Sequence, residues 1–79
     1  LKAALEAIKR GGLYPTLVNS ANEELVRMFL EEKISFLRIG DVVCKALELD
    51  GSGEVTVESI LDAEERARSF VREVCKCGK

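Results

Sequence analysis

Ser20-Ala21-Asn22-Glu23-Glu24-Leu25-Val26-Arg27-Met28-Phe29-Leu30 is the most informative run in this chain for its fold. Its first four residues have the form of a capping box. The Ser20 hydroxyl accepts from the third helical amide while Glu23 reaches back to the cap, and Asn19 is a competing cap. Leu25, Val26, Phe29 and Leu30 then recur at helical spacing, with Glu24, Arg27, Glu31 and Glu32 outside the stripe. Met28 falls off it and hints at a second contact surface. The run therefore predicts an amphipathic helix starting at Ser20.

On its N-terminal side, Leu1, Ala4, Leu5 and Ile8 repeat at i, i+3, i+4 and i+7, which predicts a first helix. Lys9 and Arg10 crowd its end and suit the negative pole of the helix dipole. Gly11-Gly12 supplies a left-handed stop. Pro15 cannot sit inside a helix, so Leu13 to Val18 reads as a connector. On the C-terminal side, Ile34, Phe36 and Ile39 alternate with polar residues, as in a short extended link. A third helix is expected over roughly Asp41 to Leu49, burying Val42, Val43, Ala46 and Leu47, and Asp50-Gly51-Ser52-Gly53 breaks it. The last helix starts after Thr56 as a cap and runs to about Lys76, with Val57, Ile60, Leu61, Ala67, Val71 and Val74 on its apolar side. Its acids precede its bases, and Asp62–Arg66 and Glu64–Arg68 are favourable i, i+4 pairs. The expectation is all-α: a small four-helix bundle with short connectors.

Composition narrows the classes of function. The chain has 79 residues, 47% hydrophobic and 33% charged, which fits one small globular domain and not a disordered tail. A net charge of −2 gives no basic field for nucleic acid, and no run is long and apolar enough to span a bilayer. Three Cys and no His make an odd, sparse set that fits a reducing compartment better than a disulfide framework. No signal peptide is visible, and a start at Leu1 instead of Met suggests a piece of something longer. So small a core is expected to give modest stability and to leave an apolar face that a larger protein covers.

Three patterns could carry chemistry. Glu48 to Ser59 can be laid on a calcium-binding EF-hand loop, with Glu48, Asp50, Ser52 and Thr56 as oxygen ligands and Gly53 at the turn. The twelfth position, which needs a bidentate Glu, is Ser59, so a glycine-rich helix–helix turn is the favoured reading. Cys75-Lys76-Cys77 could share a soft metal. Four ligands are not at hand, however, and exposed free thiols at a fraying end are the simpler expectation. Asn19 to Glu24 forms a helix start whose own carboxylates compete with any anion. No nucleophile–base pair or phosphate-binding glycine loop is evident.

The order of the pieces nevertheless resembles one family. Leu5-Glu6-Ala7-Ile8-Lys9-Arg10-Gly11-Gly12 precedes Pro15-Thr16-Leu17-Val18-Asn19-Ser20-Ala21-Asn22-Glu23. Phe29-Leu30, Lys33-Ile34-Ser35-Phe36-Leu37, Val57 to Ala63 and Arg66-Ala67-Arg68 come after. In one register this resembles the C-terminal region of 1-deoxy-D-xylulose 5-phosphate reductoisomerases. The resemblance implies that residues 1–79 are a C-terminal helical domain of a longer enzyme whose NADPH-binding and catalytic domains lie outside this stretch. That enzyme would convert 1-deoxy-D-xylulose 5-phosphate to 2-C-methyl-D-erythritol 4-phosphate in non-mevalonate isoprenoid synthesis. It would use NADPH and Mg²⁺ or Mn²⁺, usually as a homodimer, in the bacterial cytoplasm or a plastid. No catalytic, cofactor-binding or metal-binding residue of the family maps onto this chain. Asn19, Ser20, Asn22 and Glu23 are its candidate residues, for capping or for packing against the missing catalytic domain, which would be its partner. The alternative is a free-standing helical interaction module with a degenerate calcium loop.

Overall fold

The Gly11-Gly12 stop is where the structure first tests these expectations. In the computed structural model, which describes residues 2–77, both glycines take left-handed conformations, with φ of 71° and 56°. They end helix α1, Lys2–Arg10, where the sequence placed its end. The expected connector over Leu13 to Val18 is instead mostly helix. Helix α2 runs Tyr14–Leu30, so it starts six residues before the expected capping box at Ser20. The physical reason is Pro15. It stands in the first turn, where its missing amide costs nothing and its fixed φ favours the helix. No side chain caps this start. The Tyr14 amide donates to Gly11 O at 3.1 Å and the Leu13 amide to Gly51 O at 2.9 Å. The cap role expected of Asn19, Ser20 and Glu23 is therefore corrected: all three lie inside α2.

The end of α2 is a Schellman turn. The Glu32 amide donates to Phe29 O and the Lys33 amide to Met28 O, both at 2.9 Å, with Glu32 at a left-handed φ of 60°. Ser35 then caps helix α3, Phe36–Lys45, its hydroxyl accepting from the Arg38 amide at 3.3 Å. The expected extended link over Ile34 to Ile39 is thus mostly the first turn of a helix. A one-turn 3-10 helix, Ala46–Glu48, continues α3 before the Gly51 turn. Helix α4, Val57–Cys77, starts where the sequence put it. The Thr56 hydroxyl accepts from the Ser59 amide at 3.0 Å, and Ser59 Oγ in return accepts from the Thr56 amide at 2.8 Å. This is a reciprocal cap with Ser in the place usually taken by Glu.

Four α-helices, with no strand among the described residues, make the all-α bundle that the sequence predicts. Helix α2 is the axis of the bundle and packs most extensively on α4, then on α3 and α1. The Cα radius of gyration is 11.9 Å, close to the ~11.6 Å that a compact domain of this length should have. Leu17, Leu25, Val42 and Val71 are the large side chains fully inside. Around them alanines fill much of the core: Ala3, Ala7, Ala21, Ala46, Ala63 and Ala67, beside Leu13, Val18, Ile34, Val43 and Cys75. Small side chains at facing positions let helices approach closely, and this explains where the sequence reading of the stripes fails. Helix α1 buries Ala3 and Ala7 and turns Leu5 and Ile8, 59% and 67% exposed, to the outside. Val57 and Leu61 of α4 and Val26 and Leu30 of α2 are likewise exposed, while Ala63 and Cys75 are buried.

Candidate functional site

Asn19 and Asn22 fall on one side of α2, one turn apart, and the fold gives them a setting the sequence did not reveal. They sit at the edge of an open groove of about 360 Å³ between α1, α2 and α3. Ala4 and Ile8 of α1, Val18 of α2 and Val43 of α3 line it, and no charged side chain does. In a chain that is 33% charged, an uncharged groove of this size is a distinct feature. Both asparagines are exposed, and among the described residues neither side chain makes an internal hydrogen bond. Ser20 is elsewhere, buried in the bundle at 1% exposure. Glu23 is on the surface, 3.7 Å from Arg68 of α4. Of the four candidate residues, the structure thus brings only Asn19 and Asn22 together at one site. Position alone could not show this, because the groove depends on how α1 and α3 pack beside α2.

Glu24, read from the sequence as an outward residue, is buried instead. Its carboxylate is held by Arg27 one turn on and faces Arg72 of α4 at 3.8 Å. Hydrogen bonding to Glu24, reinforced by the Glu24 and Glu31 charges, pushes the Arg27 guanidinium above its already high ordinary pKa. The pair Glu23–Arg68 beside Glu24–Arg72 therefore rims the α2–α4 seam. Arg68 reaches across to Glu23, not along its own helix to Glu64 as expected. The expected Asp62–Arg66 pair is present at 2.9 Å.

The glycine turn is built for packing, and its oxygens are already in use. Asp50 Oδ1 accepts from both the amide and the hydroxyl of Ser52, and these bonds hold the Asp50 carboxyl below the usual carboxylate range. Thr56 and Ser59 are engaged in the cap of α4. Arg66 donates to the Asp50 carbonyl at 2.9 Å, tying the turn to α4. Among the described residues no three Cys, Asp or Glu side chains converge on one point. The EF-hand alternative therefore has no support in the geometry. What the turn does is join the two ends of the bundle. Gly51 lies against the Tyr14 ring. The Arg10 guanidinium stacks 5.0 Å from the centre of the same ring and also donates to Leu47 O at 2.9 Å.

Cys75 is corrected as well. It is not an exposed thiol: the side chain is 5% exposed in the core, and burial pushes its pKa up despite the nearby Arg38. Cys44 is exposed, and the side chain of Cys77 lies outside the described residues. No helix is long and apolar enough to cross a membrane among the described residues.

Comparison with known proteins decides the family. The family described as DXP reductoisomerase C-terminal domain matches residues 1–70. The chain belongs to this family. Similar relatives carry the name 1-deoxy-D-xylulose 5-phosphate reductoisomerase. The protein of Chloroherpeton thalassium is 39% identical over 72 residues, covering 90% of this chain and 19% of the relative. That of Clostridium novyi is 42% identical over 73 residues, covering 91% and 19%. That of Halalkalibacterium halodurans is 42% identical over 74 residues, covering 92% and 19%. This reductoisomerase-family chain thus spans about 19% of the length of the curated relatives it matches. No solved structure matches it significantly.

Proposed function

We propose that this chain is the C-terminal helical domain of a polypeptide that converts 1-deoxy-D-xylulose 5-phosphate to 2-C-methyl-D-erythritol 4-phosphate. Residues 1–79 are one domain of it, and the dinucleotide-binding and catalytic domains lie upstream. The observation that carries this reading is the family match over residues 1–70, together with relatives of that name in which the same stretch is 19% of the length. The reaction isomerises a ketose phosphate and reduces the product with hydride from NADPH, assisted by Mg²⁺ or Mn²⁺. The residues here do not fit either group: the described acids are spread around the bundle and into ion pairs, and the glycines serve turns. No residue of this domain is assigned to hydride transfer or metal binding.

The part left to the domain is structural. It is a rigid block whose exposed apolar positions and polar groove edge support the catalytic domain of the same chain, within a homodimeric enzyme of the bacterial cytoplasm. On its own it is inert. The test is the intact gene product assayed at 340 nm for NADPH oxidation with 1-deoxy-D-xylulose 5-phosphate and Mg²⁺ or Mn²⁺. Substrate-dependent oxidation supports the reading, and an intact protein that leaves the sugar phosphate unchanged refutes it.

A further inference from the structure

We infer that α1 is a latch: residues 2–12 undock from the bundle as one unit about the Gly11-Gly12 pair, while α2, α3 and α4 stay folded, and Arg10 is its catch. The docked state is the dominant one. Undocking lets α1, and any polypeptide N-terminal to it, change direction relative to α2, the axis of the bundle. The latch is built into the bundle itself and would operate whatever reaction the intact polypeptide performs.

The hold of α1 on the core is slight. It buries Ala3 and Ala7 alone, packs on α2 and less on α3, and turns Leu5 and Ile8 outward. At nine residues it is shorter than the ~12–15 that an isolated helix needs to be even marginally stable, so it depends on that docking. Among the described residues a single side chain hydrogen-bonds α1 to the rest of the bundle. Arg10 donates to Leu47 O at 2.9 Å and lies 5.0 Å from the centre of the Tyr14 ring. Its other bond, to Glu6 at 2.9 Å, stays within α1 and travels with it. The hinge follows directly. Gly11 and Gly12 stand at φ of 71° and 56°, and a Cβ on Gly11 would meet nothing within 4 Å. Glycine reaches both signs of φ at little cost, so the pair can change direction without strain.

The far side of the hinge is fixed. Leu13 is buried, its amide donates to Gly51 O at 2.9 Å, and the Leu17 amide donates to Leu13 O at 3.0 Å. Motion about Gly11-Gly12 therefore stops before Leu13. Helices α2 and α4 are held quite differently, by their extensive mutual packing and by large, fully buried side chains such as Leu17, Leu25 and Val71. A helix with few buried apolar groups and one polar tie belongs to the low-stability end of a structure and opens without the rest. Arg10 sets how often. Its planar guanidinium holds the 3-10 end of α3 through Leu47 and the start of α2 through Tyr14, so losing it frees α1 from both.

The test is native-state hydrogen exchange of the intact polypeptide, read by mass spectrometry over urea concentrations below unfolding. The amides of Glu6 to Gly11 are expected to exchange at one common rate, about tenfold or more faster than the most protected amides of α2 and α4. Their dependence on urea should be weaker, because undocking exposes little surface. Exchange of α1 at the rate and urea slope of α2 and α4 overturns the latch, since the helix then opens only with the whole domain. Protection that rises steadily along α1 overturns it too, because that is fraying and not a unit. Arg10→Ala should speed exchange in α1 by about threefold to tenfold and leave α2 and α4 unchanged. Equal acceleration of all the helices, or none, removes Arg10 as the catch. Gly11→Ala should also speed α1, because only the docked state requires a left-handed φ there. Should either variant misfold, the unsubstituted protein decides alone.

Discussion

Gly51 shows how closely single residues set this fold. A Cβ at this position would stand 2.7 Å from the Tyr14 ring, in a place where Gly51 O also receives the Leu13 amide. Gly51→Ala should cost about 1–3 kcal/mol by overpacking, read from urea unfolding, and Tyr14→Ala in the same chain should recover part of the loss. Glu32 offers the opposite case. It holds a left-handed φ of 60° that a β-carbon disfavours, so Glu32→Gly should stabilise the domain by up to about 1 kcal/mol. An unchanged or lower midpoint would show that the turn is formed differently. Cys75 and Cys44 should part in reactivity. Burial holds the Cys75 thiol protonated, so iodoacetamide should modify Cys44 in the folded domain and Cys75 only on unfolding.

Helix starts are where sequence reasoning and structure diverge, for reasons that can be named. Gly11-Gly12, the Thr56 cap and the apolar set of α3 were legible because each depends on a local pattern. The start of α2 was not. Ser20-Ala21-Asn22-Glu23 is a sound capping box in isolation, yet a proline one turn earlier begins the helix with help from Gly51 O, a partner distant in sequence. The alternation of Ile34, Phe36 and Ile39 misled in the same way, because Ser35 caps α3 between them. The groove was illegible throughout, since it needs the packing of α1, where alanines and not the larger residues face inward. Two measurements probe the helix starts directly. Native-state hydrogen exchange should show the amides of Asn19 to Asn22 protected as mid-helix amides; fast exchange there would restore the cap at Ser20. Thr56→Ala should cost about 1 kcal/mol, or roughly 4–8 °C in Tm, through loss of the reciprocal cap with Ser59.

Taken as one body, the bundle is an alanine-lined core with ion pairs at its seams and several large apolar side chains left outside. Its acid response comes from carboxylates that the fold holds ionised. Ser52 bonds hold Asp50 below its ordinary value, and Lys33 with Arg27 does the same for Glu31. Groups depressed in this way stabilise the folded state above their unfolded pKa, so their contribution is complete above about pH 5 and is lost as the pH falls below about 4. Tm should be level from pH 7 to about 5 and decline below about 4, and Asp50→Asn should flatten part of that decline. The proposed function makes this chain a supporting block with no reaction of its own, and that can be measured directly. Residues 1–79, purified alone and mixed with NADPH, 1-deoxy-D-xylulose 5-phosphate and Mg²⁺ or Mn²⁺, should give no substrate-dependent loss of absorbance at 340 nm. Steady oxidation of NADPH by this chain would show instead that the bundle carries an active site of its own.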